Sequence, residues 1–419
     1  MKILYVSQYF PPEIGAPSAR VSELARYWVR SGHEVQVLTG FPNHPTGIVP
    51  AEYKGKLKRL IMREDFEGAH VLRTWLWPLP NRKPWERMAN YASFAKSAGI
   101  AGTFLSRPDI VIGTSPQLLV GLAAWWISRV KRVPFVFEVR DLWPESLDAV
   151  GVGGEQTKLY RILKRVSTFL YKHSDHIVVV TPAFKEEIIR NYRIPEEKIS
   201  IVNNGVETEL FSPNGDNVRH QFGLGDSFVV GYIGTMGFAH GLNTVLDAAE
   251  ILRSSTPDVR FLLVGEGADK SRLKSLIAEK DLHSLLLLDG QPREKIAAII
   301  RSVNVCLVPL RKSDVFKTVI PTKMLEFMSC GRPVILGVEG QAQEIVEVAR
   351  AGICIEPENP QQLAAAILKL KSDAQLTRTL GINGRDYIVR NLSREQTAHD
   401  YERVLANVLG HEIAVAAAV

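Results

Sequence analysis

The sequence predicts an α/β protein made of two Rossmann-like domains that face each other across a cleft. Short apolar runs rich in β-branched residues alternate with longer amphipathic segments, and the whole pattern occurs twice along the chain. Strands that alternate with helices form parallel sheets with helices on both faces. The length of 419 residues also suits two domains of about 200 residues better than one core.

The first domain is predicted over residues 1–205. Its short apolar strands alternate with segments of helical periodicity, of which three are identified. The strand segments are KILYVSQYF, HEVQVLTG, RPDIVIGTS, VPFVFEVRD and HIVVVTP, and the helical segments are SARVSELARYWVRSG, QLLVGLAAWWISRVK and residues 157–173.

The second domain is predicted over residues 206–385, at the end of a polar link, NNGVETELFSP, that contains glycine and proline. Its strand segments are FVVGYIGT, VRFLLVGEG, SLLLLDG, VNVCLVP and VILGV. Residues 386–419 are predicted to hold a C-terminal helix that can pack back on the first domain.

The composition is that of a soluble globular protein, with 46% hydrophobic and 23% charged residues. No run reaches the roughly 18 to 20 apolar residues that cross a bilayer, and the start MKILYVSQYFPPE lacks the features of a signal peptide. The three cysteines have no metal-type spacing and are interpreted as core thiols in a reducing compartment. We therefore expect a cytoplasmic protein.

The charge is distributed unevenly. Residues 1–200 hold 28 Lys and Arg against 19 Asp and Glu, whereas the remainder holds 23 against 26. All seven tryptophans also lie in the first half of the chain. A basic, tryptophan-rich half beside a nearly neutral half indicates that the two halves meet different partners.

The stretch TVIPTKMLEFMSCGRPVI predicts a helix that begins directly behind a buried strand, where a parallel sheet opens its ligand crevice. Thr322 is a plausible N-cap, and the start of a helix attracts anions. Lys323 in the first turn opposes the helix dipole unless a bound anion offsets it. The stretch therefore indicates a phosphate site, with Glu326 one turn further along. The plainer alternative is an ordinary surface lysine and a solvated glutamate.

Small or polar residues follow the predicted strands at several points where ligands of a parallel sheet gather. Their backbone amides can approach a ligand closely. The residues assigned to donor binding on this basis are Gly15, Ala16, Gly234, Gly265, Gly267 and Gln291. Glycines also simply turn corners, and no G-x-G-x-x-G follows a strand, so the nicotinamide fingerprint is missing.

The stretches QYFPPEIGAP, EVRDLWPES and IVNNGVETELF occur in this order before PTKMLEFMSCGRPVI. Together these motifs resemble glycosyltransferase family 4, nucleotide-sugar enzymes with the GT-B fold. The resemblance is collinear from Met1 to about Val408 and is nearest to the bacterial O-antigen and capsule transferases, L-fucosamine transferases included. It implies retaining transfer of a sugar, such as N-acetyl-L-fucosamine, from a UDP-sugar to a polyprenyl-diphosphate-linked saccharide.

The resemblance assigns Glu326 to the ribose hydroxyls of the nucleotide, because a carboxylate accepts hydrogen bonds from a diol. The first glutamate of the family motif falls at Thr318. The cations that usually bind the diphosphate fall near Thr235 and His240. With these departures, Lys323 and the helix start at Thr322 are the expected replacements. Asn204 and Thr235 complete the predicted donor site.

The catalytic residues are expected in the first domain. Glu13, Arg140 and Asp141 are predicted as catalytic residues near the anomeric carbon, with a positioning or electrostatic role for Arg140 and Asp141, and Glu145 is a further charged candidate. Arg140 stands where the family usually has a histidine, and Asp141 can instead cap the turn before Trp143. No Asp-x-Asp motif and no cluster with ligand spacing is present, so we predict transfer without a metal or another cofactor.

Tryptophans and basic residues are interleaved in the segment LRTWLWPLPNRKPWERMANYASFAKSAG. This pattern favours an anionic membrane surface, so the protein is expected to be peripheral on the inner membrane. The residues assigned to this membrane and acceptor face are Trp75, Trp77, Arg82, Lys83, Trp85 and Arg87. Buried tryptophans with a solvated basic rim are the alternative. Nucleic acid is not expected, because no recognition motif accompanies the charge.

Two other functions are compatible with the same fold. A sugar-nucleotide isomerase of the 2-epimerase type would need acid and base carboxylates in the cleft, and the motifs above argue against it. A non-catalytic partner in a glycan assembly complex is the other alternative, because Thr318 replaces a glutamate of the family motif.

Overall fold

The computed structural model describes residues 1–13, 15–44, 46–80, 83–145 and 157–410. The chain forms two compact α/β units, as predicted. The first unit comprises residues 1–203 with the C-terminal stretch from residue 397, and the second comprises residues 204–396. Each unit is therefore built around its own sheet, and the chain crosses between them twice.

The first unit is built on an eight-stranded sheet. Its strands are β1 (Lys2–Val6), β2 (Glu34–Gly40), β3 (Ile61–Phe66), β4 (Ala69–Thr74), β5 (Ile110–Thr114), β6 (Phe135–Val139), β7 (His176–Val179) and β8 (Ile199–Ile201). They lie in the order β3-β4-β2-β1-β5-β6-β7-β8. Strands β5 and β6 are buried along their whole length, as expected for apolar strands covered on both faces.

One edge of this sheet departs from the parallel arrangement that the sequence predicts. Strands β3 and β4 pair antiparallel, whereas β4 pairs parallel with β2. The two residues between them, Glu67 and Gly68, have positive φ angles of 49° and 88°. This backbone geometry is that of a tight hairpin turn, whose twist matches the twist of the strands. The sequence of the turn, Glu-Gly, is not one that predicts a two-residue hairpin.

Helices cover both faces of the first sheet. They are Ala16–Arg30, Ala51–Lys54, Pro84–Thr103, Leu118–Lys131, Lys158–His173, Pro182–Tyr192 and, at the C-terminus, Arg394–Val408. Two of them begin at threonine N-caps: the side chain of Thr157 accepts from the amide of Tyr160, and that of Thr181 accepts from the amide of Phe184.

The C-terminal helix packs on the first unit. The indole Nε1 of Trp28 donates to the carbonyl of Ala398 at 3.1 Å, and the ring of Tyr401 meets the Trp28 ring edge-on at 5.3 Å. His33 Nε2 lies 2.6 Å from Glu402 Oε1. Because Trp28 and Tyr401 are fully buried, this helix contributes to the core of the first unit.

The second unit has a six-stranded sheet whose neighbouring strands pair parallel. Its strands are β9 (Phe228–Ile233), β10 (Val259–Val264), β11 (Leu285–Leu288), β12 (Val305–Pro309), β13 (Val334–Gly337) and β14 (Gly352–Cys354). Their order is β11-β10-β9-β12-β13-β14. The order reverses at β9 and β12, and ligands of such sheets bind at the carboxyl ends of strands beside this point.

Two apolar layers enclose the second sheet. One layer contains Phe211, Ile300 and Leu325, and the other contains Leu246 and Ile367. The helices that supply them are Asn243–Leu252, Lys270–Glu279, Arg293–Arg301, Thr322–Ser329, Gln341–Ala349, Pro360–Ser372 and Ala374–Asn391.

The three cysteines are free thiols, with Cys306 and Cys330 buried and Cys354 partly buried. Among the helices of the described ranges, none combines the length and the apolar character needed to cross a membrane.

Candidate functional site

The helix Thr322–Ser329 starts at the carboxyl edge of the second sheet, behind β12. Its N-cap is Pro321, and Thr322 is the first helical residue, so the prediction of Thr322 as the N-cap is wrong. No side-chain hydrogen bond caps this helix. The proline sets the extended backbone that precedes the helix, and the amides of the first turn have no side-chain cap.

Lys323 folds back from this helix onto the end of β9. Its Nζ donates to the hydroxyl of Tyr232 at 2.9 Å and lies 3.5 Å from Nδ1 of His240 and 4.3 Å from the centre of the Tyr232 ring. The Tyr232 hydroxyl in turn donates to the carbonyl of Thr235. The ammonium group is therefore held beside Gly234, where an added Cβ would come within 3.2 Å of Nζ.

The environment of Lys323 disfavours its positive charge. Burial lowers the pKa of Lys323 to about 7, although the carboxylate of Glu326 partly opposes this effect. Burial and the neighbouring lysine lower the pKa of His240 to about 3, so the imidazole is neutral at physiological pH. An anion bound here would stabilise the protonated lysine, because an opposite charge nearby favours the charged form.

Two predicted donor-binding glycines make close loop contacts. A Cβ on Gly265 would lie 1.9 Å from the carbonyl oxygen of Gly234, and a Cβ on Gly267 would lie 2.2 Å from that of Met236. These glycines let the loop after β10 pack directly against the loop after β9. Their structural role is therefore to bring the two loops together beside Lys323.

Glu326 lies one turn along the helix and is paired with Arg293. The Nη1 atom of Arg293 donates to Oε1 of Glu326 at 3.1 Å, and the side chains are 32% and 13% exposed. The guanidinium carbon of Arg293 also lies 5.1 Å from the centre of the Phe211 ring. The carboxylate assigned to the ribose is thus oriented by an arginine that stacks on an aromatic ring.

The loop after β11 reaches the same edge of the sheet. Gln291 is partly buried, and its side chain donates to the carbonyl of Asp289. Lys270 ties this loop to the one after β10, because its ammonium group lies 2.7 Å from Glu266 Oε1 and 2.5 Å from Asp289 Oδ1. Thr318, which replaces the family's first glutamate, donates its hydroxyl to the carbonyl of Val315.

In the first unit, Arg140 and Asp141 directly follow β6. The hydroxyl of Ser115 accepts from both of their backbone amides, at 2.7 and 3.2 Å. The Arg140 guanidinium donates to the carbonyls of Ala16 and Pro17 in the first turn of the helix Ala16–Arg30. Burial raises the pKa of Asp141 to about 6, while Arg140 opposes the shift. The structure therefore brings Arg140 to the helix start that follows Gly15, with Asp141 next to it in the chain.

A buried ion pair connects the helix Ala16–Arg30 to β6, the strand that precedes Arg140. Arg20 Nε lies 2.9 Å from Glu138 Oε1, and both side chains are almost fully buried. Glu138 also accepts from the hydroxyls of Tyr5 and Thr114. Burial alone would raise the pKa of Glu138. The neighbouring guanidinium groups of Arg20 and Arg140 nevertheless hold this pKa below its usual value.

Glu13 is placed differently from the other predicted catalytic residues. Its carboxylate accepts from three backbone amides, those of Asn43 and His44 at 2.8 and 2.9 Å and that of Phe10 at 3.3 Å. Burial raises its pKa to about 7, against the lowering effect of these hydrogen bonds. Its contacts are those of a side chain that fastens the loop after β1 to the loop after β2.

Two further predicted residues are Glu145 and Asn204. Glu145 accepts from the hydroxyl of Tyr192 at 2.7 Å, and Asn204 begins the second unit directly after the chain crossing. Within the described ranges, no group of three or more His, Cys, Asp or Glu side chains is placed to bind a metal ion.

The predicted membrane face is partly exposed. Trp77 and Trp85 are 50% and 56% exposed, and Lys83 and Arg87 are exposed as well, whereas Trp75 is partly buried. Arg82 lies outside the described residues.

Sequence reasoning missed several residues that shape these sites. Arg293 lies two residues after the predicted Gln291 and could have been found from that position, whereas nothing in the pattern identifies Tyr232 as the partner of Lys323. The pairing of Arg20 with Glu138 joins residues 118 positions apart and could not be deduced from spacing.

Two family profiles cover most of the chain. Residues 15–205 match the Glycosyl transferase 4-like domain, and residues 216–387 match Glycosyl transferases group 1. The putative colanic acid biosynthesis glycosyl transferase WcaI of Escherichia coli (strain K12) is 22% identical over 414 residues, with 96% of this chain and 98% of that protein covered.

Solved structures with the same fold span the whole chain. Sucrose-phosphate synthase from Thermosynechococcus elongatus superposes with a TM-score of 0.77 at 20% identity, covering 97% of this chain and 99% of that chain. Anabaena Alr3699/HepE in complex with UDP and glucose superposes with a TM-score of 0.71 at 18% identity, with the same coverage.

Proposed function

Because this chain belongs to glycosyltransferase family 4 and has the GT-B fold, we propose that it transfers a sugar from a UDP-sugar to a polyprenyl-diphosphate-linked saccharide. The product would be part of a bacterial surface polysaccharide such as O-antigen or capsule, and N-acetyl-L-fucosamine is the first sugar to test. A relative named for colanic acid biosynthesis supports the polysaccharide, and a neighbour solved with UDP and glucose supports the uridine nucleotide.

The observation that carries the proposal is the placement of Lys323 and Glu326 on one short helix at the switch point of the second sheet. The amides of the first helical turn and the Lys323 ammonium group offer a diphosphate several donors. Glu326, one turn away, offers an acceptor to the ribose hydroxyls. In this proposal the diphosphate contacts the first turn of the helix and the ribose contacts the second.

Charge stabilisation is the chemistry that this arrangement supplies. When the glycosidic bond breaks, negative charge develops on the leaving diphosphate, and preorganised donors stabilise it. Lys323 and the helix start would do this in the second unit. In the first unit, Arg140 and Asp141 would orient the acceptor side of the reaction, with retention of the anomeric configuration and without a metal ion.

The test measures binding of UDP and transfer from UDP-sugars in Lys323→Met and Glu326→Ala variants. Lys312→Met is the matched control, because Lys312 is an exposed lysine of the same unit that pairs with Glu356. We expect both site variants to lose UDP affinity by at least about 10-fold, since each removes a charge-assisted contact, while the control keeps it. Unchanged UDP affinity in both site variants would refute this placement of the donor.

Membrane docking of the first unit is the second part of the proposal. Trp77 and Trp85 are half exposed beside the cations Lys83 and Arg87, as at a membrane interface. The helix that begins there also exposes Ile100. A face of this kind would bring the protein to the inner leaflet, where a polyprenyl-linked acceptor resides.

Vesicle flotation tests this docking. The protein should float with anionic vesicles at low salt, and Trp85→Ser should reduce the floated fraction. Phe238→Ser is the matched control, because Phe238 is a similarly exposed aromatic residue of the second unit. Absence of binding to anionic vesicles, or equal loss in both variants, would contradict docking through this face.

A further inference from the structure

The ion pair between Arg293 and Glu326 joins the start of one helix to the second turn of another on the same face of the second sheet. Arg293 is the first residue of the helix Arg293–Arg301, and Glu326 lies in the second turn of the helix Thr322–Ser329. Both helices bury their apolar sides in one layer of the core. The 3.1 Å contact between Arg293 Nη1 and Glu326 Oε1 therefore lies where the strands of the sheet end.

One ring contact and two features of the preceding loop restrict the position of Arg293. The guanidinium group stacks on the ring of Phe211, which is fully buried. Pro292 is the N-cap of the helix and restricts the backbone before Arg293. Lys270 holds the preceding loop through Asp289. The planar guanidinium group, stacked on the ring, presents its donors to Glu326 in a fixed fork geometry.

We propose that Arg293 is a positioning residue for nucleotide recognition, which it serves by holding the Glu326 carboxylate in the orientation that accepts the ribose hydroxyls. The inference rests on the proposed function, because it takes Glu326 as the ribose ligand. A glutamate side chain has several rotamers, and ordering it before the nucleotide arrives removes that entropy cost from binding. The arginine also compensates the desolvation of a carboxylate that is only 13% exposed.

A direct contact between Arg293 and the diphosphate is the competing explanation, since arginine binds phosphate well. The two roles differ in what they recognise. An arginine that contacts phosphate changes the preference for UDP over UMP and leaves the preference for the ribose 2′-hydroxyl unchanged. An arginine that acts through Glu326 changes the preference for the 2′-hydroxyl and does so only while Glu326 is present.

The experiment measures the dissociation constants of UDP, 2′-deoxy-UDP and UMP by calorimetry. The proteins are the full-length wild type, Arg293→Met, Glu326→Gln and the double variant. The control is Lys371→Met, which breaks the pair between Lys371 and Asp258 at the amino end of β10, the edge of the sheet opposite the candidate site. The wild type should prefer UDP over 2′-deoxy-UDP by about 10-fold or more, the typical worth of a hydrogen bond to a charged group. Arg293→Met should reduce this ratio to less than about threefold, and the double variant should resemble Glu326→Gln.

Each other outcome overturns a defined part of the argument. If Arg293→Met leaves the preference for UDP over 2′-deoxy-UDP unchanged, the positioning role is overturned. This holds also when the variant binds UDP more weakly and its preference for UDP over UMP falls. Loss of the ratio in Lys371→Met as well would show a general effect of unit stability and overturn the positioning role too. Failure of the wild type to bind any of the three nucleotides would instead refute the proposed function.

If Arg293→Met does not fold, Arg293→Lys takes its place. It keeps the charge and the aliphatic stem but lacks the planar guanidinium group that stacks on Phe211. The preference for the 2′-hydroxyl should fall in this variant also, and an unchanged preference would overturn the proposal.

Discussion

The lowered pKa of Lys323 leads to a quantitative prediction about nucleotide binding. With a pKa of about 7 in the free protein, about one Lys323 side chain in eleven is protonated at pH 8. A bound diphosphate favours the charged form, so binding at pH 8 should take up about 0.9 proton per UDP. If only the protonated form binds well, the dissociation constant for UDP should rise roughly ninefold between pH 8 and pH 9.

Calorimetry in buffers of different ionisation enthalpy measures the proton uptake directly. The groups closest to Lys323 do not interfere, because the pKa of His240 is lowered to about 3 and that of Tyr232 is raised above its usual value by burial. The Lys323→Arg variant is the control, because an arginine stays protonated and should bind UDP with little proton uptake and little change between pH 8 and 9. Equal proton uptake in wild type and Lys323→Arg would refute the assignment of Lys323 to the diphosphate.

Three further predictions concern stability and metal dependence. Arg20→Met should lower the free energy of unfolding by about 3–5 kcal/mol in denaturant titrations, because it removes the guanidinium group that pairs directly with the buried Glu138 carboxylate; a loss below 1 kcal/mol would contradict this. The Glu13 carboxyl has a pKa raised by burial to about 7, so it binds protons more tightly when folded, and the protein should lose up to about 3 kcal/mol of stability as the pH rises from 4.5 to 7.5. Glu13→Gln should remove that part of the pH dependence, and an unchanged profile would show that Glu13 does not cause it. Transfer activity should persist in excess EDTA, and loss of activity that Mg²⁺ or Mn²⁺ restores would overturn metal-independent transfer.

Much of the fold was predictable from the sequence, because its determinants are local. Apolar runs such as VCLVP and FVFEV are long enough for one buried strand, and the amphipathic segments between them can only cover a sheet. The antiparallel hairpin of β3 and β4 escaped prediction because its turn depends on the positive φ angles of Glu67 and Gly68. A glutamate is an unusual residue there, and the sequence contains no Asn-Gly or Asp-Gly signal at this point.

The candidate site shows the same division between local and distant determinants. Lys323 and Glu326 were predicted because they share one helix and their spacing is readable along the chain. Tyr232, which accepts from Lys323, lies 91 residues away, and Arg293, which holds Glu326, lies 33 residues away. Glu13 is an acidic residue in a loop that follows a strand, which is why it was predicted to be catalytic. The three backbone amides that bind its carboxylate come from two loops that the sequence does not place together.

The sequence by itself thus determined the two α/β units, the motifs of the family and the helix that presents Lys323 and Glu326. These depend on periodicity and on residues close together in the chain. Only the tertiary structure decided which groups surround the charges, and with them the pKa values of Lys323, Glu13 and Asp141. The physical reason is that desolvation and hydrogen bonding depend on every neighbour in space, and most of those neighbours come from distant parts of the chain.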